Sequence, residues 1–182
     1  MSDIQFVISE QPEEFALAAQ LIDGRDDNAH PLDHQVFFDS RAVILAKTLE
    51  GEIVGCAAIK AGKGTVDKGT VDKGTVDKGT VGELGYLVVS SHYRRQGIAQ
   101  GLTQKRIEVA KALGISILYA TIRAENTSSQ ANLLKAGFQF WRDYLSIRGT
   151  GNTVGWYYLA LSANVDAEAI MLSLVGDRIQ AV

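Results

Sequence analysis

Cysteine is nearly absent from this chain. Cys56 is the only one, so no internal disulfide can form. It lies in the apolar run Ile53-Val54-Gly55-Cys56-Ala57-Ala58-Ile59, which predicts a buried structural thiol rather than a nucleophile. Long apolar runs are missing as well. Nothing approaches the roughly 20 residues that a membrane-spanning helix needs. Met1-Ser2-Asp3 lacks the basic start of a secretory signal, and Ile4–Ile8 is too short for its apolar core. A soluble cytoplasmic protein with no membrane partner is the expectation. Positive charge is not in surplus: 18 Lys and Arg face 21 Asp and Glu, interspersed, and the net charge of -3 argues against a nucleic-acid partner. His30, His34 and His92 share no ligand spacing with Cys56, so no metal is expected. Two nucleotide motifs are missing too. Gly62-Lys63-Gly64 has neither the spacing nor the following helix of a G-x-x-x-x-G-K-[ST] loop, and no G-x-G-x-x-G follows a strand.

What is present is enough for one well-buried domain: 182 residues with an apolar fraction of 46%. Ile4–Ile8 reads as a first strand. Pro12 suits the first helical position, with Glu13 and Glu14 favouring the helix dipole; Phe15, Leu17, Ala18, Leu21 and Ile22 supply the apolar face before Gly24. After the polar loop from Arg25 to Pro31, Leu32, Val36 and Phe37 suggest a short second helix. Ala42–Leu49 and Ile53–Lys60 read as strands joined by the hairpin turn Glu50-Gly51-Glu52. Leu84–Val89 is a fourth strand. Ile98, Leu102, Val109 and Leu113 recur at helical spacing, with Lys105, Arg106, Glu108 and Lys111 at polar positions and Gly114 as the C-terminal cap. Ile115–Ile122 predicts a central strand buried on both faces. Thr127 or Ser128 can cap a helix that stops at Gly137. Phe138–Ile147 and Val154–Leu161 then flank a turn-rich hairpin connection, and Val165–Val182 reads as an added helix with a frayed end. The order predicts an α/β sandwich with a mixed sheet.

Between the third and fourth strands stands a tandem Lys-Gly-Thr-Val-Asp repeat, residues 63–81. Thr-Val favours a strand and Asp-Lys-Gly suits a turn, so Val71-Asp72-Lys73-Gly74-Thr75 could form a hairpin tip. Each copy offers an alternative tip, which leaves the register weakly specified. A surface loop grown by duplication is the other reading.

The chemistry begins at Tyr93-Arg94-Arg95-Gln96-Gly97-Ile98-Ala99. A strand stopping at Val89, a polar turn and a helix starting near Gly97 leave backbone N–H groups unpaired at a helix N-terminus, an anion site strengthened by the dipole. Gly97 and Ala99 lack the bulk that would hold a pyrophosphate away, and Arg94 and Arg95 add charge.

On these residues the chain resembles the GNAT superfamily of acyl-CoA-dependent N-acetyltransferases. Arg94-Arg95-Gln96-Gly97-Ile98-Ala99 matches the family's [QR]-x-x-G-x-[GA] between fourth strand and third helix. Asn126-Thr127-Ser128-Ser129 leading to Leu134-Lys135-Ala136-Gly137-Phe138 matches a second signature after the fifth strand. The resemblance implies a GNAT-like mixed, mostly antiparallel central sheet flanked by helices, with splayed fourth and fifth strands. It makes residues 1–163 one acetyltransferase domain with the repeat inserted, and 164–182 a C-terminal helical extension.

The resemblance also implies acetyl-CoA as cosubstrate. Backbone groups of Leu87, Val88 and Val89 would pair with its pantetheine arm, and the amides of Arg95, Gln96, Gly97, Ile98, Ala99 and Gln100 would cradle its pyrophosphate. Asn126, assisted by Ser129, would bond near the pantetheine. Glu83 stands where the histone-acetylating branch carries its catalytic glutamate. It is the candidate base, because an ammonium must lose its proton before it can attack. Leu133 occupies the position where many relatives carry a tyrosine that protonates the departing thiolate. The Asn126-x-x-Ser129 pattern is instead similar to the ribosomal-protein-acetylating and polyamine-acetylating branches, which often lack that tyrosine; Tyr119, Tyr144 or Tyr157 could substitute, or the thiolate leaves unassisted. Tyr86, Trp141 and Trp156 read as core or groove residues. Asp26, Asp27, His30, Asp33 and His34 fall in the segment that borders the acceptor groove in relatives.

The expected reaction is acetyl transfer from acetyl-CoA to a primary amine, of a small molecule or a peptide, by direct attack. The competing class is a non-catalytic acyl-CoA sensor or scaffold. A stiff repeat ribbon would edge the acceptor groove or meet a second subunit in a homodimer.

Overall fold

Strand-forming residues and apolar alternation place seven strands in one sheet, in the order β1-β2-β3-β4-β5-β7-β6. The computed structural model describes residues 3–24, 35–61, 81–147 and 149–181. The strands are β1 (Ile4–Ile8), β2 (Ala42–Thr48), β3 (Ile53–Ala61), β4 (Val81–Val89), β5 (Ile117–Arg123), β6 (Gln139–Leu145) and β7 (Thr153–Ala160). The helices are α1 (Pro12–Asp23), α2 (Gln35–Phe38), α3 (Ile98–Ala112), α4 (Thr127–Lys135) and α5 (Ala167–Val175). β1–β2, β2–β3, β5–β7 and β6–β7 run antiparallel, while β4–β5 is parallel. This is the mixed, mostly antiparallel α/β sheet expected. The β4–β5 register pairs Val81 with Ile117, Gly82 with Leu118 and Glu83 with Tyr119 and extends no further, which is the expected splay. The KGTVD repeat up to Thr80 and the segment with Asp26, Asp27, His30, Asp33 and His34 lie outside the described residues.

The chain divides into two compact units, whose boundaries cut β3, β4 and α3. The first comprises Met1–Lys60 and Leu84–Val109. Phe15, Ala18, Ala19 and Ile22 on α1 and Phe37 on α2 pack with Val43, Leu45, Cys56 and Val88 to form its core. Cys56 is fully buried, its thiol donating to the carbonyl of Tyr86 at 3.4 Å, as a structural cysteine should.

Arg106 departs from expectation. It lies on the buried face of α3, not among the polar positions, and is 2% exposed. Its place four residues after Leu102 and three before Val109 puts it on the apolar stripe itself, and helical geometry prevails over its charge. Burial lowers its pKa to about 10, so it stays cationic at neutral pH. The guanidinium donates to the carbonyls of Ala58 and Gly85 and to the Thr103 hydroxyl. Its Nε is buried without a hydrogen bond among the described residues.

The second unit comprises Ala61–Glu83 and Ala110–Val182. Its core joins Val81, Ile117, Tyr119, Tyr144 and Trp156 to Ile170, Met171, Leu174 and Val175 of α5. Gly114 and Gly137 close α3 and α4 in left-handed conformations. Ile115 N reaches Ala110 O and Phe138 N reaches Leu133 O, so orphan carbonyls at both helix ends are satisfied. Several expectations are corrected in detail. β4 starts at Val81 rather than Leu84, which brings Glu83 into the sheet. β5 is buried only over Ile117–Ala120, and its pairing with β4 stops at Tyr119. The added helix ends at Val175 with Gly176, and the chain beyond pairs with β6 instead of fraying.

Candidate active site

In the first unit, β4 ends at Val89 and the chain makes a single 3-10 turn, Ser91–Tyr93. The Ser90 amide bonds Val54 O at 2.8 Å, and the Tyr93 hydroxyl donates to Glu52 at 3.1 Å. That hydrogen bond raises the Tyr93 pKa. Arg94 turns back, its Nε donating to Val89 O at 3.3 Å, so it braces the turn as well as charging it. Arg95 and Gly97 both adopt left-handed backbone, at φ 63 and 80, and the chain reverses into α3 within a few residues. Gly101 N bonds Gly97 O, which makes Gly97 the start of the helix and leaves the Ile98, Ala99 and Gln100 amides without intrahelical acceptors. A side chain at Gly97 would meet nothing within 4 Å. Arg94, Arg95, Gln96 and Gly97 are exposed. An open, donor-rich helix start flanked by arginines fits a pyrophosphate.

Upstream of the turn, Val88 is buried in the core, while Leu87 and Val89 are half-buried. Tyr86 takes a left-handed conformation at φ 56 in mid-strand and packs its ring against Phe37 at 5.6 Å. This left-handed residue bends the β4 backbone just before Leu87.

In the second unit, Glu83 is only 7% exposed, a buried carboxylate rather than a solvated one. Its partner follows from the parallel register. Glu83 and Tyr119 are paired positions, so their side chains leave the sheet together, and the Tyr119 hydroxyl donates to Glu83 Oε2 at 3.1 Å. Tyr119 is 1% exposed and stacks on Trp156 with ring centroids 5.6 Å apart and planes 5° from parallel. Of the three tyrosines proposed for the missing acid, only Tyr119 is bonded to Glu83. Tyr144 packs edge-on against Trp156, and burial raises the pKa of Tyr157.

Asn126, rather than Thr127 or Ser128, caps α4. Its Oδ1 accepts from the Ser129 amide at 3.2 Å and from the Ser128 hydroxyl at 3.4 Å. The side-chain oxygen is therefore engaged, and the amide nitrogen is the atom that can donate to a ligand. Leu133 is buried, with its carbonyl accepting from Ala136 and Phe138. Among the described residues no cluster of His, Cys, Asp and Glu could hold a metal ion.

Tyr119 as partner of Glu83, Trp156 behind it and Arg106 beneath β4 were not predicted in these roles. One signal existed: Val81-x-Glu83 and Ile117-x-Tyr119 place a carboxylate and a phenol at equal offsets on neighbouring strands.

Residues 7–138 match the model of the acetyltransferase (GNAT) family. The chain belongs to the GNAT acetyltransferase family. Solved structures agree on the fold. A GNAT-family acetyltransferase from Streptococcus pneumoniae is 20% identical, with 87% of this chain and 100% of that one covered at a TM-score of 0.66. A Salmonella typhimurium protein assigned as an acetyltransferase, solved with its cofactor acetyl-CoA, is 14% identical, with 88% and 95% covered and a TM-score of 0.70. The ribosomal-protein-S18-alanine N-acetyltransferase from Escherichia coli is 16% identical, with 92% and 98% covered and a TM-score of 0.63. No curated protein sequence matches this GNAT chain. Among the described residues no helix is long and apolar enough to cross a membrane.

Proposed function

We propose that this GNAT protein is a cytoplasmic enzyme that transfers acetyl from acetyl-CoA to a primary amine, with Glu83 as the base. The observation that carries the reading is the buried Glu83 carboxylate held by the Tyr119 hydroxyl. A carboxylate on a surface loop is ordinarily solvated. One drawn into a sheet and oriented by a phenol is set up to take a proton. Bound acetyl-CoA supplies an electrophilic thioester carbon. The open helix start from Arg95 to Gln100 supports the assignment of its pyrophosphate there. The left-handed Tyr86 just before Leu87, Val88 and Val89, with Leu87 and Val89 half-buried at the end of β4, supports pairing of this stretch with the pantetheine. A backbone N–H of Leu87 or its neighbour would polarise the thioester carbonyl. Asn126, through its amide nitrogen, and Ser129 are the residues assigned to hold the cofactor in the second unit. The acceptor is a small-molecule or peptide amine.

Release of free CoA thiol over a panel of primary amines, including peptide N-termini, tests the reading. Turnover with at least one amine is expected. Glu83→Gln should lower kcat on that amine by about 100-fold or more while binding acetyl-CoA normally. Cofactor binding with no turnover across the panel would instead make the chain an acyl-CoA sensor, and an unchanged kcat in Glu83→Gln would remove the base.

A further inference from the structure

Residues 166–181 lie beyond the family-matched span and are bound into the second unit along their whole length. Asp166 caps α5 by accepting from the Ala169 amide at 3.1 Å. Glu168 accepts from Trp141 Nε1 at 2.7 Å and pairs with Arg142, which ties the first turn of α5 to β6. Ile170, Met171, Leu174 and Val175 are buried in the core with Tyr119 and Trp156. At the other end, Arg178 donates to Leu174 O and Val175 O, which satisfies the last carbonyls of the helix. The strand-like stretch that follows pairs with β6: Leu145 N bonds Ile179 O at 2.8 Å, and Ala181 N bonds Asp143 O at 3.0 Å.

A segment fixed at both ends holds its side chains in defined places, and one of them carries charge toward the core. The Arg178 guanidinium carbon lies over the Trp156 ring, 5.1 Å from its centroid. Trp156 is stacked on Tyr119, and Tyr119 donates to Glu83. Four side chains thus form a continuous series of contacts: Arg178, Trp156, Tyr119, Glu83. β7 and the segment that follows α5 contribute to it, and neither bears a family signature.

We propose that residues 166–181 act as a strap that positions the base, with Tyr119 and Arg178 as its positioning residues. The inference rests on the reading of Glu83 as base. The physical argument is one of orientation. A carboxylate can rotate about its terminal bond, and a proton acceptor misplaced by about 1 Å can cost on the order of 100-fold in rate. The phenol fixes one carboxylate oxygen. Stacking on Trp156 fixes the phenol ring, and the cation over the indole face, anchored by the C-terminal turn of α5, holds the indole.

The test compares two nucleophiles in the full chain: the primary amine returned by the thiol-release screen, and hydroxylamine. At neutral pH the first is an ammonium that needs a base, whereas the second is already unprotonated and does not. Tyr119→Phe should lower kcat on the amine by about 10-fold, leave the KM for acetyl-CoA unchanged, and alter the hydroxylamine rate by less than about 2-fold. Arg178→Ala should give a loss of about 3-fold with the same selectivity, and Arg178→Lys, which keeps a cation over the ring, should recover it. Equal losses on both nucleophiles would show a general effect on folding and overturn the proposal, as would full activity in Tyr119→Phe. Full activity in Arg178→Ala would remove the strap from it. Glu83→Gln separates the two levels. If it keeps its rate, the base assignment fails; if it loses rate while the Tyr119 and Arg178 variants do not, only the strap fails.

Discussion

The phosphate turn and the Glu83 cluster differ in which atoms they offer. The phosphate turn is exposed over Arg94–Gly97 and presents backbone amides, and its side chains are there to bend the chain, brace it, charge it or stay out of the way. The Glu83 cluster is buried and presents one side-chain carboxylate, linked to residues from β5, β7 and the segment after α5. A backbone site can be written in one short stretch of sequence, because the conformation of that stretch is the site. A side-chain site of this kind is assembled by topology: the nearest partner of Glu83 in the cluster stands 36 positions along the chain.

That contrast can be broken first at Arg106, where the largest stability change is expected. This buried charge lies in the same unit as the turn and holds carbonyls of Ala58 on β3 and Gly85 on β4. Arg106→Ala should cost about 3 kcal/mol in chemical denaturation, by leaving a cavity and unpaired carbonyls. Arg106→Met, which fills the space without a buried charge, should cost no more than about 1 kcal/mol. If Met is as harmful as Ala, the hydrogen bonds rather than the packing matter, and the guanidinium is a specific brace of β4.

The turn itself offers a sharper test. A β-branched residue at φ 80 is strained even though the space around Gly97 is open. Gly97→Val should therefore weaken acetyl-CoA binding by about 10-fold in calorimetry, at an estimated cost of 1–2 kcal/mol, with kcat at saturation little changed. Arg95→Gly keeps left-handed backbone at φ 63 and removes only charge. It should weaken binding about 3-fold at low salt and less at high salt. If Arg95→Gly proves the more damaging of the two, the turn works by charge and the contrast with the Glu83 cluster collapses.

How much was legible follows the same division. The helix start at Gly97, the Gly114 and Gly137 stops and the order of strands were readable, because glycine conformation and apolar periodicity are local properties. Arg106 was misread as solvent-facing because its charge was weighed above its spacing. Tyr119 was legible as a phenol in an apolar strand. Its bond to Glu83 required the β4–β5 register, which no local pattern states. The start of β4 was placed three residues late because Val81-Gly82-Glu83 follows directly on the repeat and contains a charge and a glycine. The role of residues 166–181 was invisible for the same reason. Apolar spacing announces a helix, but not which ring the arginine beyond its end will cover.

Asn126 belongs to both kinds of site, and the smallest predicted effects fall there. Its oxygen caps the backbone of α4, while its nitrogen is the candidate donor to the cofactor. Asn126→Ala should lose the cap and lower stability by about 1 kcal/mol, or roughly 2–4 °C in Tm for a chain of this size. Asn126→Ser replaces one good capping oxygen with another and should hold Tm within about 1 °C. It has no amide nitrogen, however, so acetyl-CoA affinity should fall about 3-fold in both variants if that nitrogen bonds the cofactor. Recovery of both stability and affinity in Asn126→Ser would reduce the residue to a cap. Recovery of stability alone would show one side chain serving the helix with its oxygen and the cofactor with its nitrogen, which makes the local motif legible for two reasons at once.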